Sequence, residues 1–72
     1  MTRLPALRPR EVAAILQRAG FEFVRQRGSH RMYVKGHLGV TVPWHNKDLR
    51  RSTLRHIIKQ SGLTPDEFAR PL

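Results

Sequence analysis

A chain of 72 residues has room for one hydrophobic core, and the absence of cysteine removes any disulfide or thiolate metal site that could staple so small a fold. Lys and Arg number 14 against 5 Asp and Glu, a net charge of +9, which points to a polyanionic partner, RNA or DNA first, because arginine forks match phosphate oxygens and counterion release drives such binding. With 39% hydrophobic residues a modest two-layer core is within reach but a deep substrate cavity is not, so any active site belongs at the surface.

Val12, Ile15, Leu16 and Ala19 repeat at the spacing of one helical face, with Arg10, Glu11, Gln17 and Arg18 polar around them. Pro9 suits the first turn of this helix, Glu11 favours its positive end, and Gly20 is placed to end it in the left-handed conformation. The period then changes. Phe21 to Gln26 alternates as a strand, with Phe21 and Phe23 on one face and Glu22 on the other. Arg27-Gly28-Ser29 reads as a turn. His30 to Lys35 forms a second strand with His30, Met32 and Val34 on one face and Arg31, Tyr33 and Lys35 on the opposite, polar one. A second turn over Gly36 to Gly39 leads into a third strand, in which Leu38, Val40 and Val42 alternate up to Pro43.

A polar connector, Trp44 to Arg51, precedes a second helix carrying Leu54, Ile57 and Ile58 on one stripe, with Ser52 as its expected N-cap and Gly62 as its terminator. Thr64-Pro65-Asp66-Glu67 has the form of a capping box, with Leu63 stapling to Phe68, and predicts a short C-terminal helix. The chain is therefore expected to be a single α+β domain over residues 1–72, with a loose leader over 1–8. Its predicted order is α-β-β-β-α plus the short helix, a three-stranded antiparallel meander with both main helices on one face and the other face polar. No stretch approaches the roughly 20 apolar residues of a membrane span, and the start lacks a signal-peptide core. A cytoplasmic monomer with no membrane partner is expected.

Chemistry concentrates in Arg25-Gln26-Arg27-Gly28-Ser29-His30-Arg31. Glycine lets backbone N–H groups approach a phosphate, arginines hold its oxygens, and histidine exchanges protons near neutral pH. In RNA the 2'-hydroxyl lies beside the phosphodiester, so one base and a few cations suffice for strand cleavage without metal. On these residues alone the bland alternative stands beside that one: an ordinary turn followed by a half-exposed strand histidine.

Taken together, Glu11, Gly20-Phe21-Glu22-Phe23-Val24-Arg25-Gln26, Gly28-Ser29-His30, Val40-Thr41-Val42-Pro43-x-His45, Thr53-Leu54-Arg55, Ile57-Ile58 and Gly62-Leu63 resemble the HicA family over nearly the whole chain. The resemblance implies a double-stranded-RNA-binding-domain-like fold, messenger RNA cleavage that arrests growth, a catalytic histidine at His30 and a HicB-type antitoxin as partner. The alternative from another class is a non-catalytic RNA-binding module of the same fold.

The expected RNA contacts are Arg25, Arg27, Gly28, Ser29, Arg31, Tyr33 and Lys35, with Tyr33 stacking on an unpaired base from the polar strand face. His45, just past the third strand, is the candidate second proton-transfer group, against a simple turn role. Trp44 reads as core or loop packing, with stacking on an unpaired base as the alternative, and His37 and His56 read as solvated. Arg50, Arg51, Arg55 and Lys59 either grip phosphates or form an ordinary solvated face. Four scattered histidines without a His-Glu-x-x-His pairing offer no metal ligand set, and no cofactor is expected.

Overall fold

The computed structural model describes residues 3–69. Along them run α1 (Pro9–Arg18), β1 (Glu22–Arg27), β2 (His30–Lys35), β3 (Leu38–Pro43), α2 (Arg51–Ser61) and α3 (Pro65–Ala69). The strands form one antiparallel sheet in the order β1-β2-β3, so the α+β meander anticipated from the hydrophobic pattern is the fold observed.

α1 starts with Pro9 at N1, where the missing N–H costs nothing, and the Glu11 carboxylate accepts the Arg8 backbone N–H at 2.8 Å. Past its end Gly20 turns the chain at φ 102°. Lys35 Nζ donates to the Ala19 carbonyl at 2.7 Å, which sets a cation on the negative end of the helix. α3 is capped partly as expected: the Glu67 carboxylate accepts the Thr64 N–H at 3.2 Å, but the Thr64 hydroxyl donates to that carboxylate as well. Phe68, fully buried, seats α3 against α1.

One core joins Val12, Ile15 and Leu16 of α1, Tyr33, Val40 and Val42 of the sheet, Leu54, Ile57 and Ile58 of α2, and Phe68. Each such side chain stabilises the fold by about 1.5–3 kcal/mol through burial. All of it lies on the helix side of the sheet.

Three expectations need correction. Residues 3–8 are not a loose leader: Leu4 and Leu7 belong to the core, the Leu4 carbonyl accepts from Arg51 Nη1 at 3.1 Å, and the Leu7 carbonyl accepts the Leu49 N–H at 2.8 Å. Residues 1–2 and 70–72 lie outside the described residues. The N-cap of α2 is Arg50, not Ser52, because the anchored Leu49 fixes the chain one residue earlier and the helix winds from there, the Arg50 carbonyl accepting the Leu54 N–H at 2.9 Å.

The third correction decides where function can sit. The β2 face carrying Arg31, Tyr33 and Lys35 is the core face, not the solvent face. Lys35 pairs with Leu38 across the two-residue turn, so Tyr33 falls opposite Val40 and Arg31 opposite Val42. Those valines are fully buried, and Tyr33, only 1% exposed, is the largest side chain sealed in with them. A ring buries more apolar area than Met32 or Val34 would there, while the long stems of Arg31 and Lys35 carry their charges out past the sheet margin. His30, Met32 and Val34 consequently face away from the helices.

Candidate functional site

The site begins with an irregularity in β1. Phe23 pairs with Tyr33, but the next pair is Arg25 with Met32, leaving Val24 as the extra residue of a β-bulge. Simple alternation from Phe23 would send Arg25 and Arg27 to the helix side. The bulge reverses them, so Arg25 lies beside Met32 and Arg27 beside His30 on the uncovered face.

Between β1 and β2 the turn holds only Gly28 and Ser29, with Arg27 paired to His30 across it. Gly28 adopts φ 57°, the left-handed value that a two-residue hairpin needs at its first central position and that a side chain resists. Gly28, Ser29 and His30 are all exposed. On the open face Arg25, Arg27, His30, Met32 and Thr41 line a groove of about 280 Å³. An imidazole and two guanidinium groups thus share one shallow depression floored by the sheet, a setting suited to a phosphate with a proton-transfer group beside it.

Of the residues singled out from the sequence, the structure brings together Arg25, Arg27, Gly28, Ser29 and His30. The others fall elsewhere. Tyr33 is buried and cannot stack on a base. Arg31 lies on the helix side, half-buried, its Nε donating to Gln26 Oε1 at 2.8 Å and its guanidinium carbon 3.8 Å from the centroid of the Trp44 ring and 5.3 Å from that of Phe23. Lys35, at the far end of β2 from His30, is engaged by α1. His45 does not line the His30 groove; it borders two neighbouring clefts, one with Lys47, Arg50 and Thr53 and one with Arg8, Arg10 and Asn46. Its Nδ1 accepts the Lys47 N–H at 3.1 Å.

Trp44 packs against the core margin, as read from the sequence, yet it also does something unforeseen. Its backbone N–H donates to the Ser29 carbonyl at 2.6 Å, tying the end of β3 to the turn before His30. Gln26, given no role of its own from the sequence, donates from Nε2 to the Gly28 carbonyl at 3.0 Å. The basic residues of α2 lie on the helix layer, across the sheet from the groove. Among the described residues no group of three or more His, Asp or Glu is assembled as a metal site, and no helix is long and apolar enough to cross a membrane.

The family model described as the HicA toxin of bacterial toxin-antitoxin systems matches residues 9–63, a span running from the start of α1 through all three strands and past the end of α2. No curated protein matches the chain. With its model covering most of the 72 residues and the entire groove, the chain belongs to the HicA toxin family, the toxin side of a bacterial toxin-antitoxin pair.

Proposed function

We propose that this toxin is a metal-independent endoribonuclease acting on messenger RNA, with His30 as its catalytic acid/base. The observation that carries the reading is the shared groove: on the one sheet face left uncovered, His30 stands with Arg25 and Arg27. RNA lies across that face. The two guanidinium groups donate to the non-bridging oxygens of the scissile phosphate, with the Gly28-Ser29 backbone free of bulk where the strand passes. His30 takes the proton of the 2'-hydroxyl, the 2'-oxygen bonds to phosphorus, and the bond from phosphorus to the 5'-oxygen breaks as that oxygen takes a proton from solvent water. The arginines offset the charge that develops on the phosphorane. The products are a 2',3'-cyclic phosphate and a 5'-hydroxyl. His45, outside the groove, is given no part in these steps. A HicB-type antitoxin is proposed to neutralise the toxin by meeting the basic face with acidic groups.

The test is cleavage of an end-labelled transcript by the purified chain, with and without EDTA, beside His30→Ala. Shortened RNA with the stated ends, unaffected by EDTA and lost in the variant, is expected. Cleavage abolished by EDTA, or undiminished in His30→Ala, contradicts the mechanism. RNA that is shifted in a gel but never shortened, with affinity falling steeply in salt, identifies a non-catalytic binder instead.

A further inference from the structure

The turn that presents His30 carries two carbonyl groups, and the structure ties down both. The Gly28 carbonyl accepts from Gln26 Nε2 at 3.0 Å, and the Ser29 carbonyl accepts from the Trp44 N–H at 2.6 Å. These anchors are linked to each other. Gln26 Oε1 accepts from Arg31 Nε at 2.8 Å, and the Arg31 guanidinium lies 3.8 Å over the Trp44 ring. The links close a loop: Gly28 to Gln26, Gln26 to Arg31, Arg31 to Trp44, Trp44 back to Ser29. The amide orientation of Gln26 is dictated by its partners, since a carbonyl requires the N–H end and a guanidinium requires the oxygen.

The loop runs on the sheet face opposite His30. Gln26 and Arg31 pair across β1 and β2 on the helix side, directly next to the Arg27–His30 pair of the open side. A two-residue hairpin tip in a three-stranded sheet would otherwise be held by little more than its own ladder, and tips of this kind are where local opening concentrates.

We infer that Gln26, Arg31 and Trp44 form a brace that fixes the Gly28-Ser29 turn and thereby the position of His30, making Arg31 a positioning residue and not an RNA contact. The role in catalysis rests on the endoribonuclease reading; the brace itself does not. Arginine is specifically required, because a lysine ammonium supplies neither the flat face that stacks on an indole nor an Nε–H that reaches across to Gln26 on the neighbouring strand.

The test uses the full chain with Gln26→Ala, Arg31→Met, Arg31→Lys and the double variant Gln26→Ala/Arg31→Met. Steady-state cleavage should show kcat reduced by about 10–100-fold, the scale on which a displacement near 1 Å acts, with KM close to wild type. Arg31→Lys should be as slow as Arg31→Met, and the double variant no slower than the slower single one, because the links act as a unit. A raised KM at unchanged kcat, rescue by lysine, or multiplicative losses overturns the inference and makes Arg31 a charge contact. Amide hydrogen exchange provides an arm independent of cleavage. The Trp44 N–H should be protected in the wild type and exchange faster in each variant while the helices stay protected; unchanged protection overturns the brace even where activity falls. If the wild type cleaves no RNA, the endoribonuclease reading fails, and exchange at Trp44 still decides the brace.

Discussion

The sheet contains two hairpin tips that start from the same plan. Each turn has two residues, glycine first, with φ 57° at Gly28 and 58° at Gly36, and each places a histidine beside it, His30 after the first and His37 within the second. There the likeness stops. The first tip is braced by Gln26 and Trp44, faces a groove with two arginines, and lies next to the bulge that aims them. The second has no comparable hydrogen bond to its turn carbonyls among the described residues, and its flanking Lys35 turns back to close α1. A histidine at a turn is by itself no sign of a site, and the proposed role of His30 rests on its surroundings. What separates the two is the surrounding cations and the restraint on the turn.

Substitution at both tips tests that contrast most severely. His30→Ala is expected to reduce RNA cleavage by about 10²–10⁴-fold, the usual contribution of a general acid or base, while His37→Ala leaves the rate unchanged; equal effects would erase the distinction. Replacing both groove arginines, Arg25→Gln with Arg27→Gln, should flatten the dependence of log affinity on log salt by roughly 1.4, two single-strand phosphate contacts. Lys35→Gln should leave that slope unaltered, and a titration across salt concentrations checks both. Gly28→Ala and Gly36→Ala should each cost about 1–2 kcal/mol in denaturant unfolding, since both force a side chain into the left-handed region. Only the first should also slow cleavage. The smallest effect is expected for Lys35→Met, a loss of about 0.5–1 kcal/mol from the uncapped end of α1 with activity intact.

The elements themselves were legible because each announces itself locally: the 3.6-residue stripe of Val12, Ile15 and Leu16, the alternation of Val40 and Val42, the Pro9 and Gly20 that bound the first helix. The buried face of β2 was also within reach, though alternation within that strand alone points the wrong way. The two-residue turn sets Lys35 opposite Leu38, and the valines of β3 then force Tyr33 inward. The bulge left no such trace. Val24 is a good strand residue with no glycine or proline beside it, and only the pairing with Met32 reveals that the phase has slipped. The brace was equally hidden, since Gln26, Arg31 and Trp44 meet through a register that no local pattern encodes. The short segment around His30 leaves an ordinary turn as an alternative, and it is the resemblance along the whole chain that singles the histidine out; of the three arginines expected beside it, Arg25 and Arg27 line its groove while Arg31 stacks on Trp44 instead.

That extra residue at Val24 has a second consequence, for solubility. β1 is an edge strand whose residues are all exposed, and Phe23 and Val24, 46% and 51% exposed, are the large hydrophobic side chains it presents to water. A straight edge of this composition is a template on which another chain could add a strand. The bulge interrupts the even spacing of the free N–H and carbonyl groups there and bends the strand, and the arginines it turns outward add like charge along the same margin. One inserted residue thus breaks the regular edge that an added strand would need.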